Sequence, residues 1–135
     1  MRYEEEITQF IENETTLTLG TTLQFGRFTT ESPSRCTAVL FNKVSIAYFD
    51  VPDRIDVMVE ADARDESYIN ARDDIEEVYD ALFRRIDKAL PVITSGNEFK
   101  IQTSEAITPP TWMGTDENNR HHWSTVLILR LKRVE

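Results

Sequence analysis

From Arg54 to Ala61 the chain alternates without a break: Ile55, Val57, Val59 and Ala61 fall on one side, Asp56, Met58 and Glu60 on the other. A strand sends successive side chains to opposite faces, and a slip of one residue would turn every apolar group outward. This run therefore specifies its own register. It requires a sheet with one face on a core and the other toward solvent or a polar partner. The last stretch, 121–133, adds a second constraint. Trp123, Thr125, Leu127, Leu129 and Leu131 share one face, and Ser124, Val126, Ile128, Arg130 and Lys132 share the other. Its centre is apolar on both sides, which predicts a strand inside a sheet or at an interface.

Helical spacing appears twice. Tyr3, Ile7, Phe10 and Ile11 form a stripe over about 3–13, with Glu4, Glu5 and Glu6 at the positive end of the helix dipole. Tyr68, Ala71, Ile75, Val78, Leu82, Ile86 and Leu90 predict a long helix over 65–90, with Asp65 as N-cap and Pro91 as its stop. Arg84, Arg85 and Lys88 would then lie at its negative end.

The remaining runs read as strands. One ends near Phe28, one covers 35–41 and is apolar on both faces, and one covers 98–107; a shorter apolar run lies at 44–49. A turn is expected at 31–34, where Pro33 presets the backbone. Residues 108–119 read as a long connection containing Pro109, Pro110 and Gly114. The expectation is an α+β fold: one domain over 1–135, a mainly antiparallel sheet, a short N-terminal helix and one long helix packed on it, in the order α-β-β-(β)-β-α-β-β.

Composition narrows the function. The chain carries 24 acidic and 15 basic residues, a net charge of −9, which disfavours tight binding of nucleic-acid phosphates but permits an acidic wall around DNA. No stretch approaches the ~18 apolar residues of a membrane span, and the first residues lack an apolar signal core. Cys36, the one cysteine, sits in an apolar run and reads as a buried, inert thiol.

Catalytic groups are hard to assemble from this inventory. His121 and His122 are adjacent on an expected strand and should point to opposite faces, a poor chelating pair. No phosphate-binding loop, dinucleotide fingerprint or nucleophile elbow occurs, and four glycines leave little room for one. The carboxylates Asp56, Glu60, Asp62 and Asp65 read as solvated surface. Asp73, Asp74, Glu76, Glu77 and Asp80 crowd one side of the long helix, as plain surface or as a negative wall facing a channel. The long connection is more suggestive. Pro109 and Pro110 stiffen it, and Trp112 and Met113 offer apolar area to a partner or to the chain's own core.

In consistent order, three segments resemble a family of tailed-phage minor structural proteins described as minor capsid, tail completion or tail terminator proteins. The first is Leu23-Gln24-Phe25-Gly26-Arg27-Phe28 with the Ser32-Pro33 turn and the strand after it. The second is the alternating strand leading into Asp65-Glu66-Ser67-Tyr68 and Val78-Tyr79-Asp80-Ala81-Leu82. The third is Pro109-Pro110 with Gly114-Thr115-Asp116-Glu117 and Arg120. The segment 43–53 is more apolar than the pattern, and the first helix is short.

The resemblance implies a non-catalytic protein without cofactor or metal, located in the virion tail or neck. It would form a ring, typically of six copies, that ends growth of the tail tube. Its partners would be itself, the major tail tube protein and a head-tail connector or stopper, with DNA passing through. Pro109, Pro110, Trp112, Met113, Asp116 and Arg120 would form a contact arm. A head-completion or stopper protein is the nearest alternative, and a small α+β ligand-binding or regulatory domain the alternative from another class.

Overall fold

The computed structural model describes residues 3–43, 54–91 and 99–133. Along the chain run α1 (Tyr3–Glu14), β1 (Leu23–Phe25), β2 (Cys36–Lys43), β3 (Arg54–Asp65), α2 (Tyr68–Leu82), β4 (Ile86–Ala89), β5 (Phe99–Thr115) and β6 (His121–Arg133). One six-stranded sheet has the order β1-β2-β3-β6-β5-β4. β1 joins β2 in parallel, and the other pairings are antiparallel. The α+β class and mainly antiparallel sheet are as expected; the 44–49 run lies outside the described residues.

The alternation in β3 does what its pattern requires. Ile55, Val57, Val59 and Ala61 are buried, and each stands opposite a core-facing residue of β6: Leu131, Leu129, Leu127 and Thr125. β6, apolar on both sides, lies inside the sheet between β3 and β5. Ile7, Phe10 and Ile11 of α1 and Ile75, Val78 and Leu82 of α2 close the same core. The opposite face carries half-buried Leu40, Met58, Val126 and Ile128 among charged neighbours, and among the described residues no helix covers it.

Several expectations are corrected. α2 begins at Tyr68, with its cap two residues later than expected, and ends at Leu82, not near residue 90. Asp65 still belongs to β3, opposite His121, so the cap falls to Ser67, whose Oγ accepts from the Asn70 N–H at 3.3 Å. Asp65 supports that cap by accepting from the Ser67 N–H and from Asn70 Nδ2. After Leu82 the chain turns through Arg84, at φ 55°, into β4, where Ile86 is 77% exposed. The misleading signal was Leu82, Ile86 and Leu90: steps of four fit a helix, but four is also a multiple of the strand period. Arg84, Arg85 and Lys88 are therefore not on a helix, although Arg85 Nε donates to the Ala81 carbonyl at 2.7 Å and so serves the helix end from outside.

Two other readings shift. The first strand shortens to Leu23–Phe25, because the threonines before it bond locally. Thr18 O accepts the N–H groups of Thr21, Thr22 and Leu23, and the Thr18 N–H donates to Thr22 Oγ1 at 2.9 Å. The supposed long connection is mostly strand. β5 runs through both prolines to Thr115 and pairs with β6 up to His121, with register shifts around Thr108–Thr111 and Trp112–Gly114. Prolines are tolerated here because, among the described residues, β4 pairs only with 100–103 and nothing pairs with the outer side of β5 beyond it, so that side needs no donor. Bulges absorb the rest.

Candidate assembly surface

The β5–β6 hairpin is closed by a short tip built on one carboxylate. Asp116 Oδ1 accepts the N–H groups of Asn118 (2.9 Å) and Arg120 (3.1 Å), and Asn119 turns the chain at φ 60°. Oδ2 accepts from Arg120 Nε at 2.9 Å and contacts His122 Nε2 at 2.8 Å. His122 Nδ1 lies 3.0 Å from Asp62 Oδ1 on β3. His122 thus has a carboxylate against each ring nitrogen.

The two carboxylates respond oppositely. Burial pushes the Asp62 carboxyl up, against the attraction of His122. Burial also opposes ionisation of Asp116, but His122, the Arg120 and Asn118 N–H groups and the Arg120 guanidinium outweigh it and hold its carboxyl well below the usual range. His122 thus pins the hairpin tip to the sheet. It is half-buried at the start of β6. The informative signal would have been Asp116 four residues before Arg120 and six before His122.

His121 points to the other face, as adjacency on a strand requires, and joins an aromatic group. Tyr68 at the start of α2 meets His121, Trp123 and Trp112 at centroid distances of 5.4, 5.2 and 6.2 Å. Trp112 stands opposite Trp123 in the ladder and donates from Nε1 to His121 Nδ1 at 3.3 Å. Tyr68 is therefore not a core residue, as the helical stripe suggested. It caps the hairpin from outside. Trp112 remains 47% exposed against exposed Tyr68, and Met113 beside it in the chain is 66% exposed, on a stretch of β5 whose outer side has no strand partner among the described residues. Pro109 is exposed and Pro110 half-buried on that edge.

The acidic side of α2 divides. Asp74 is only 1% exposed; its carboxylate accepts from Arg35 Nε at 3.0 Å and Nη2 at 2.9 Å, a fork that ties the β2 entry to the helix. Glu77 accepts from the Thr16 N–H and hydroxyl, docking the end of α1. Asp73, Glu76 and Asp80 are left on the surface. Cys36 is buried, and burial raises its thiol. Among the described residues no group of three or more His, Cys, Asp or Glu could hold a metal ion.

No curated protein matches the chain in sequence. Among solved structures it is similar to a chain of the "Virion of native gene transfer agent (GTA) particle", with a TM-score of 0.60 and 9% identity over 93% of this chain and 84% of that one. At that identity the likeness is one of fold. A family model described as bacteriophage tail terminator protein matches residues 10–133. By that match the chain belongs to the bacteriophage tail terminator family, whose members are structural, not enzymatic, proteins of the virion tail and neck.

Proposed function

We propose that residues 1–135 act as one domain that assembles into a ring, of six copies, on the end of the finished tail tube. The ring stops addition of tube protein and offers its other side to the head-tail connector or stopper. One observation beyond family membership carries this reading: exposed Trp112, packed on Tyr68, and exposed Met113 lie at the end of the longest hairpin, on a strand edge that has no partner there among the described residues. Exposed aromatic and methionine area of this kind is what interfaces bury. Proline on that edge removes a ladder donor, which disfavours uncontrolled strand addition. Asp116 and Arg120 brace the tip and so act in assembly through its shape. DNA passes through without being gripped, as the net charge of −9 favours. Asp73, Glu76 and Asp80 are the acidic residues free to face a channel; Asp74 and Glu77 hold the fold. No catalysis or cofactor enters.

The experiment is electron microscopy and sedimentation of the purified chain with and without tail-tube protein, for wild type and Trp112→Ala. Rings at tube ends that arrest tube growth are expected, with Trp112→Ala folded but deficient in ring formation. Unchanged tube growth with saturating wild type would overturn the reading.

A further inference from the structure

The loop after β1 and the hairpin tip enclose a cleft of about 530 Å³, lined by Phe28, Thr29, Ser32, Arg64, Asn118 and Arg120. Two guanidinium groups wall this cleft in a chain whose net charge is −9. Arg64 is 5% exposed, yet no carboxylate lies within ion-pair distance of it among the described residues. Its charge rests on the Phe28 ring, 4.0 Å from the centroid, and its Nη2 donates to the Ser32 and Pro33 carbonyls at 3.2 and 3.0 Å. Its Nε is buried with no acceptor among the described residues. Asp116 and Asp62 act on the Arg64 guanidinium only at longer range, and burial and Arg120 outweigh them, so its charge is incompletely compensated. Arg120 adds a second positive charge and does not relieve the first. Asp116 takes Arg120 Nε, and the same carboxylate is already shared with His122.

We propose that this cleft is an oxyanion site whose occupant is a carboxylate side chain of an adjoining copy of the chain. A guanidinium pair flanked by hydroxyl and amide groups suits a planar, two-oxygen acceptor. The recessed position of Arg64 calls for a group on a stem, which an aspartate or glutamate side chain supplies and a duplex backbone does not. A chain with 24 acidic residues carries such groups in excess, so a second copy is the charge-complementary occupant. The cleft would engage a different patch on that copy, an asymmetric contact of the kind that closes rings. The inference rests on the self-assembly reading above.

Two measurements test it. Arginine Nε–H signals in ¹⁵N NMR are followed as inorganic phosphate is added to the whole chain, against chloride at equal ionic strength. Saturable shifts at Arg64 and Arg120 with phosphate alone are expected; none, or equal shifts with chloride, would overturn an oxyanion site. Self-association is then measured by sedimentation for wild type in chloride, wild type in phosphate, and Arg120→Gln. Phosphate and the substitution should each weaken association at least about tenfold. If association is equally strong in all three, the carboxylate occupant is wrong while the ring survives. If phosphate saturates the cleft but wild type never associates, even on tail tubes, the ring reading and the occupant both fall.

Discussion

Replacing Asp116 by Asn tests how the hairpin tip is held. The carboxylate receives two backbone N–H groups at Oδ1, and at Oδ2 it meets the Arg120 guanidinium and the His122 ring. Asparagine can keep the first pair, because its carbonyl oxygen replaces Oδ1. It loses the second, because an NH₂ group then faces two donors. Charge-assisted bonds contribute about 1.5–3 kcal/mol each, so the upper limit is roughly 3–6 kcal/mol. The Asp116 side chain is 24% exposed, and a tip can open to water without unfolding the sheet. Asp116→Asn should therefore cost about 2 kcal/mol, measured by urea denaturation at pH 7.

The pH dependence supplies an independent check. The folded Asp116 carboxyl lies below its ordinary value. Its contribution is thus complete above the unfolded value of about 4 and is lost as pH falls toward the folded one. The raised Asp62 carboxyl has the opposite sign, losing its contribution as pH rises through its folded value, but it is common to both proteins. The gap between wild type and Asp116→Asn should narrow below about pH 4. A cost under about 0.5 kcal/mol, or a gap unchanged between pH 7 and pH 3, would refute the account of the tip.

Other perturbations follow from the same contacts. Arg35→Ala leaves the buried Asp74 carboxylate without its fork and should cost about 2–3 kcal/mol by denaturation; a cycle with Asp74→Ala should recover part of it. Leu129→Ala empties the centre of the core and should cost about 3 kcal/mol, seen as a lower urea midpoint at unchanged slope. Arg84→Gly relieves the positive φ after α2 and should raise stability by up to about 1 kcal/mol; a loss would mean its stacking on Phe83 outweighs the strain.

Regular periodicity carried much of the fold. The alternation in β3, the two-sided apolar centre of β6 and the spacing of Ile75, Val78 and Leu82 each name a buried face whatever the neighbours are, because backbone geometry alone sets the direction of the side chains. The family resemblance was legible in the order of short motifs for a similar reason: the turns and strand ends they occupy are local. Where the local signal had two solutions, the sequence pointed the wrong way. Steps of four extended α2 past Leu82, and two prolines disguised the outer half of β5 as a loop, because whether a strand tolerates proline depends on which side of it lies unpaired.

The site depended on contacts that no local pattern contains. His122 lies between Asp62 and Asp116 because β3 and β6 are neighbours in register, sixty residues apart in the chain. Asp74, one acidic residue among several on α2, became a buried partner only when Arg35 was brought against it. Arg64 and Arg120 share one cleft because the loop after β1 folds over the end of the sheet. Periodicity decides which way a side chain points. The charge it meets there is decided by strand order and by loops closing over the sheet, and that pairing exists only in the folded chain.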